Sequence, residues 1–138
     1  MYEKLDITEN TLKVLSLFTN GFDKTYYIRE VERLLKISPQ TSQVILEDLE
    51  KKGILTSKKR GKIKLFGLNI NQTTKRYLIF TEQYKSLLFI KNNLLLKEIM
   101  EKISPYIKGI GLFFGSYVKG LQKKNSDLDL FVTGKCNI

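Results

Sequence analysis

Near its C-terminus the chain reads GLFFGSYVKGLQKKNSDLDLFV, residues 111–132. GLFF has the apolar character of a strand, Gly115 and Ser116 form a sharp turn, and YVKGL starts a short helix. In that order, backbone N–H groups and the Ser116 hydroxyl converge at a helix N-terminus, which attracts anions. Asp127 and Asp129 stand two apart on the following strand. Both carboxylates therefore lie on one face, while Leu128 and Leu130 point to the other. Two carboxylates beside a phosphate cradle can hold Mg²⁺. That combination serves metal-assisted phosphoryl or nucleotidyl transfer, in which the metal neutralises charge on the transferred phosphate and a second metal activates the attacking hydroxyl.

Other chemistries are excluded by composition. The chain has no histidine and a single cysteine, Cys136, so a Ser-His-Asp triad, a Cys-His pair and the common zinc sites have no ligands. Any metal must be held by oxygen. One cysteine also forbids an intramolecular disulfide, which suits a reducing cytoplasm. MYEKLDITEN lacks the basic start and apolar run of a signal peptide, and no charge-free apolar segment reaches about 18 residues. A cytoplasmic protein without a membrane partner is expected. Lysine and arginine outnumber aspartate and glutamate by 24 to 14, a net charge of +10. That excess points to a polyanionic partner, most simply nucleic acid, although a lysine-rich solvated surface has the same composition.

The 138 residues suffice for one ordinary domain or two very small ones, and 42% apolar with 28% charged residues is a globular balance. A first helix is expected over Thr8–Gly21, with Thr8 as cap, Leu12, Leu15 and Phe18 inward and Gly21 as stop. FDKTYYI includes a short extended piece. A second helix, Arg29–Leu35, turns Ile28, Val31, Leu34 and Leu35 inward. A third starts at Ser38-Pro39, a cap followed by proline at the first helical position, and runs to Lys52 before Gly53, with Leu46, Leu49 and Ile45 toward the core. ILTSKKRGKIKLFGLN then reads as a hairpin turning at Gly61.

Residues 8–70 resemble the winged helix-turn-helix family: three short helices closed by a basic hairpin. By that resemblance the third helix would lie in the DNA major groove, its first residues, Gln40, Thr41, Gln43 and Val44, facing base edges. Glutamine pairs with adenine and threonine meets a thymine methyl or a phosphate; no arginine is present for guanine. Lys58, Lys59, Arg60, Lys62 and Lys64 put five cations into seven residues of the wing. They predict salt-dependent binding by counterion release. The alternative role of these charges is to protect exposed hairpin edges.

From Asn71 to about Ile103 the pattern is helical, with Tyr77, Phe80, Tyr84, Leu87 and Leu88 on a wide stripe. It is either one helix or two divided at Lys91-Asn92-Asn93, and serves as core packing, a linker or a dimer seam. SPYIKG breaks it, and IGLFF begins a buried strand.

Gly115-Ser116, Gly120 and Ser126-Asp127-Leu128-Asp129-Leu130 resemble the signature of the DNA polymerase β-like nucleotidyltransferase superfamily, nearest its minimal prokaryotic branch. The resemblance implies that Gly115 and Ser116 bind triphosphate, that Asp127 and Asp129 ligate a divalent metal as catalytic residues, and that a nucleoside monophosphate moves from NTP to a hydroxyl. Gly120 would let the helix pack closely. The family uses a third carboxylate on a later strand, whereas FVTGKCNI contains no acid. Two strands are also too few for an independent sheet. The chain is therefore expected to be truncated or to complete itself by pairing, most simply as a homodimer.

Together these readings predict an α+β chain: residues 1–70 a winged helix-turn-helix domain, 71–104 a linking or dimerisation helix region, and 105–138 a partial nucleotidyltransferase element. The expected function is binding of nucleic acid, most simply double-stranded DNA, joined to a nucleotidyltransferase-like domain using Mg²⁺ and NTP. The alternative is a transcription regulator or an antitoxin, with a toxin as partner protein and a non-catalytic remnant as its second half.

Overall fold

A computed structural model of the chain describes residues 3–114 and 129–136. The chain divides into two compact units, Met1–Phe89 and Ile90–Ile138, and the boundary falls within a long helix. Among the described residues no helix is long and apolar enough to cross a membrane.

In the first unit, helix α1 (Glu9–Thr19) starts at a reciprocal cap: the Thr11 N–H donates to the Thr8 hydroxyl and the Thr8 N–H to that of Thr11, both at 3.2 Å. The helix ends ahead of Gly21, whose N–H reaches back to the Phe18 carbonyl. A short strand β1 (Thr25–Tyr26) leads into α2 (Ile28–Leu35), which stops at Lys36 in the left-handed region, φ 56°. Helix α3 (Pro39–Lys51) begins as expected at the Ser38 cap, with the Thr41 N–H donating to Ser38 Oγ at 3.1 Å.

The exit from α3 is a Schellman turn. Gly53, at φ 75°, donates to the Glu50 carbonyl and Ile54 to that of Leu49, each at 3.0 Å. This turn delivers the chain into strand β2 (Leu55–Arg60), which pairs antiparallel with β3 (Ile63–Leu68). Between them Gly61 alone takes a positive φ, 64°, as the first position of a type II′ hairpin turn requires. β1 adds to the other edge of β3, giving the order β1-β3-β2.

The three helices close over one face of this sheet. Val14, Leu15, Phe18, Val31, Leu46, Leu49, Ile54, Leu55 and Phe66 form a contiguous buried core. Phe18 meets the Tyr26 ring edge-on at 5.1 Å, and the Tyr26 hydroxyl donates to the Leu17 carbonyl. Leu34, expected inward, is instead exposed; α2 is only eight residues long and turns Val31 inward, with Ile28 and Leu35 packed beside it.

Helix α4 (Gln72–Asn92) is uninterrupted, and the chain breaks at Asn93 before α5 (Leu94–Ile103). This helix buries only part of the expected stripe: Tyr77 packs against the core and Tyr84 is half-buried. Thr74, Leu78 and Thr81 are buried, whereas Phe80 and Leu87 are exposed. The face is chosen by satisfied hydroxyls and by α1: Thr74 Oγ1 donates to the Asn69 carbonyl, Thr81 Oγ1 to that of Tyr77, the Tyr84 hydroxyl to Glu9 and Lys85 Nζ to Thr19 Oγ1. Asn71 ties the start of α4 to the ribbon by donating to the Gly53 carbonyl and accepting from the Thr74 N–H.

The second unit contains α5, a single 3₁₀ turn (Ser104–Tyr106), and strands β4 (Ile107–Phe114) and β5 (Asp129–Cys136), paired antiparallel from Ile107↔Cys136 to Phe114↔Asp129. β4 thus begins ahead of IGLFF, at Ile107. Gly109 faces Gly134 across the pair, at φ 149° and 93°. A Cβ on Gly109 would collide with the Thr133 carbonyl oxygen, and one on Gly134 with that of Lys108. Only glycines permit the two backbones to approach so closely.

Core and surface aromatic or aliphatic positions should separate cleanly in denaturation. Phe18→Ala is expected to lower the unfolding free energy by about 3–5 kcal/mol in urea titrations, and Val44→Ala, at an exposed position, to change it by no more than about 0.5 kcal/mol.

Candidate nucleic-acid interface and C-terminal nucleotide element

The first turns of α3 present Gln40, Gln43 and Val44 to solvent. Thr41 is half-buried, and its hydroxyl accepts from Ser38 Oγ at 2.7 Å, so part of its hydrogen-bonding capacity is used by the cap. The Gln43 amide donates to Glu47 Oε1 one turn further along, at 3.0 Å. Gln40, Thr41 and Val44 line a recess of about 400 Å³ with Thr8 and Asn10, so the start of α1 adjoins the start of α3. Neutral amides, a hydroxyl and a methyl-bearing side chain suit adenine and thymine edges better than guanine.

The ribbon separates its cations by register. Residues directly opposite in an antiparallel pair share a face, and Ser57↔Phe66 and Lys59↔Lys64 are such pairs. Phe66 is fully buried, so this face looks toward the helices. Lys58 and Arg60, opposite Leu65 and Ile63, belong to the other face. Lys58, Lys59, Arg60 and Lys62 are exposed. Lys64 differs: its ammonium donates to Glu50 Oε1 at 3.1 Å and lies 5.1 Å from the centre of the Phe66 ring.

Glu50 is the residue sequence reasoning missed. Hydrogen bonds from Ser57, and next from Lys64, hold its carboxyl below the ordinary value of 4.5, against a smaller desolvation effect. Its partner lies 14 residues away, and only the register of a hairpin not yet placed against α3 could have revealed it. The Asp48–Lys52 ion pair, at 2.8 Å and one turn apart, is the kind visible in sequence. Asp48 holds the Lys52 ammonium pKa above its usual value, mainly through this hydrogen bond.

In the second unit, Asp129 opens β5 opposite Phe114, the last residue of β4. Gly115, Ser116, Gly120 and Asp127 lie outside the described residues. Among the described residues no group of three or more histidine, cysteine, aspartate or glutamate side chains could hold a metal ion. What the register does give is proximity along the chain: the residues following Phe114 and those preceding Asp129 leave the same end of the strand pair. Of the two expected metal ligands, the described residues therefore place only the backbone of Asp129, at the end of the strand pair.

Comparison with known proteins agrees with this division. Residues 94–137 match the family model described as "Nucleotidyltransferase domain". No curated protein matches the chain in sequence. In structure, the chain is similar to the adhesin competence repressor AdcR of Streptococcus pyogenes, with TM-score 0.53 and 19% identity over 72% of this chain and 78% of that one. It is similar also to a cysteine-to-serine mutant of ZitR from Lactococcus lactis, with TM-score 0.54 and 18% identity over 77% and 74% of the two chains. A MarR-family transcriptional regulator of Rhodococcus sp. RHA1 gives TM-score 0.52 and 12% identity over 70% and 71%. The chain is thus similar in fold to these regulators, and residues 94–137 match a nucleotidyltransferase family model.

Because the folded carboxyl of Glu50 titrates below its unfolded value, the unfolded chain binds more protons in that window. The stability contributed by Glu50 is present above pH 4.5 and is lost as pH falls through the lowered folded value. Thermal melts between acid and neutral pH should accordingly show a shallower acid decline in Glu50→Gln than in the wild type.

Proposed function

We propose that this protein is a DNA-binding regulator whose C-terminal segment is a nucleotidyltransferase-like module. The observation that carries the reading is the exposure of both elements a winged helix uses: Gln40, Gln43 and Val44 at the start of α3, and Lys58, Lys59, Arg60 and Lys62 at the ribbon tip. In this reading α3 enters the major groove and the wing follows the phosphate backbone. Each wing cation that neutralises a phosphate releases a counterion, so affinity falls steeply with salt. Residues 1–70 act as the binding domain and 71–104 as a connecting and dimerisation region. Ile79, Phe80 and Leu87 on α4 and Leu94 and Leu95 on α5, all exposed, supply apolar surface for a homodimer.

The match over residues 94–137 favours a nucleotide-handling role for the second module. Gly115 and Ser116 would cradle the triphosphate, and Asp127 and Asp129 would hold Mg²⁺ as ligands. The metal would supply neutralisation of phosphate charge. Transfer to a hydroxyl needs a further base and ligand, so binding of nucleotide is the activity these residues support by themselves.

Two experiments test the two halves. Replacing Lys58, Lys59 and Arg60 together by alanine should reduce the slope of log affinity against log salt for duplex DNA by about 3, near 0.9 per phosphate contact; an unchanged slope counts against the wing assignment. Titration of the chain with Mg²⁺ and each NTP should show metal-dependent binding that is lost in an Asp127→Ala, Asp129→Ala variant. Equal binding by both proteins would remove the aspartates from the site.

A further inference from the structure

Lys64 belongs by sequence to the basic wing, yet its ammonium is directed to a carboxylate on α3. That carboxylate, Glu50, accepts from the Lys64 ammonium on β3 at 3.1 Å, and Ser57 on β2 belongs to the same face of the ribbon as Lys64. Its position in the fold gives the contact leverage. Glu50 lies in the last turn of α3, and Gln40 in the first, ten residues and about 15 Å away along the helix. On the ribbon, Lys64 marks the last attachment to α3 among the described side-chain bonds; Lys59 is level with it, and Arg60 and Lys62 lie past it toward the tip. Lys59, directly opposite Lys64, would repel it, since like charges facing across a strand pair destabilise the pair. Glu50 offsets that repulsion, and the Phe66 ring below supports the Lys64 ammonium. Both partners are about one-third exposed, 36% for Lys64 and 31% for Glu50. The pair therefore adds little to global stability. Its effect is local: toward the tip from the core-packed Phe66, this contact joins β3 to the last turn of α3.

We propose that Glu50 is a positioning residue for DNA binding, setting the wing against α3 through Lys64, so that Lys64 is withheld from phosphate and the wing's contact set is Lys58, Lys59, Arg60 and Lys62. The inference rests on the DNA-binding reading above. The expected effect is opposite in sign to that of simple electrostatics. Removing an acidic group from a surface facing a polyanion ordinarily tightens binding; loss of the clamp weakens it, because the wing cations no longer arrive in register with the groove.

The test is equilibrium binding of the full chain to a random-sequence duplex of about three helical turns, over a range of salt. Glu50→Gln is expected to bind about fivefold more weakly than the wild type at moderate salt, despite its added positive charge. Lys64→Met breaks the same contact and should weaken binding about as much, with no further loss when combined with Glu50→Gln, whereas Lys59→Ala lowers the salt slope by about 0.9. Combining E50K with K64E rebuilds the pair with its charges exchanged and should restore affinity to within about twofold. That rescue separates positioning from general loosening of the fold. Glu50→Gln binding as tightly as the wild type or more tightly, or Lys64→Met weakening binding equally with and without Glu50→Gln, overturns the inference. Failure of the wild-type chain itself to bind the duplex refutes the DNA-binding reading, and this inference with it.

Discussion

The first unit depends on the insertion of one strand's side chains between helices. Phe66, from the middle of β3, is fully buried among residues of the same core as Phe18, Leu46 and Leu49. A strand residue can be held there only if the ribbon returns directly under α3. The Schellman exit at Gly53 provides that return, and the bonds from Asn69 and Asn71 to the Gly53 carbonyl secure its far side. The burial of Phe66 then determines which way every other ribbon residue faces, since a strand alternates with period two. Lys64 is brought to Glu50, while Lys58 and Arg60 are turned to the opposite face. The electrostatic pattern of the wing is thus a consequence of core packing.

Much of this was legible in the sequence, for local reasons. Ser38-Pro39, Thr8 and Gly61 carry their structural instruction in their own chemistry, as a cap, a first-turn residue or a turn former, and the structure has each in that role. Leu12, Leu15, Phe18, Leu46 and Leu49 recur at helical spacing and are buried. Periodicity was right only in part on α4, where Tyr77 and Tyr84 of the stripe are half-buried. There the buried face contains Thr74 and Thr81, small residues whose hydroxyls find backbone acceptors, while Phe80 and Leu87 of the apolar stripe stay exposed. A pattern search ranks residues by hydrophobicity, whereas the packed face was decided by Glu9 and Thr19 of α1, distant in sequence. The Glu50 contact was hidden for the same reason: it is a product of tertiary register.

The C-terminal element reverses that balance. Its chemistry is concentrated in a few adjacent residues, so Gly115, Ser116, Asp127 and Asp129 stand out by type and spacing, and the family match covers them. The strand pairing supplies the scaffold for that motif. Gly109 and Gly134 face each other where the backbones leave no room for a Cβ, a constraint that the sequence states only as two separated glycines.

The claim on which the account turns is that the polyanion meets the wing. The most direct measurement is lysine-selective acetylation of the chain, free and bound to duplex DNA, followed residue by residue by mass spectrometry. The account predicts protection of Lys58, Lys59 and Lys62 on binding, with Lys75, Lys97 and Lys102 unchanged. Protection confined to Lys75, Lys97 and Lys102, with the wing lysines as reactive as in the free chain, would contradict it.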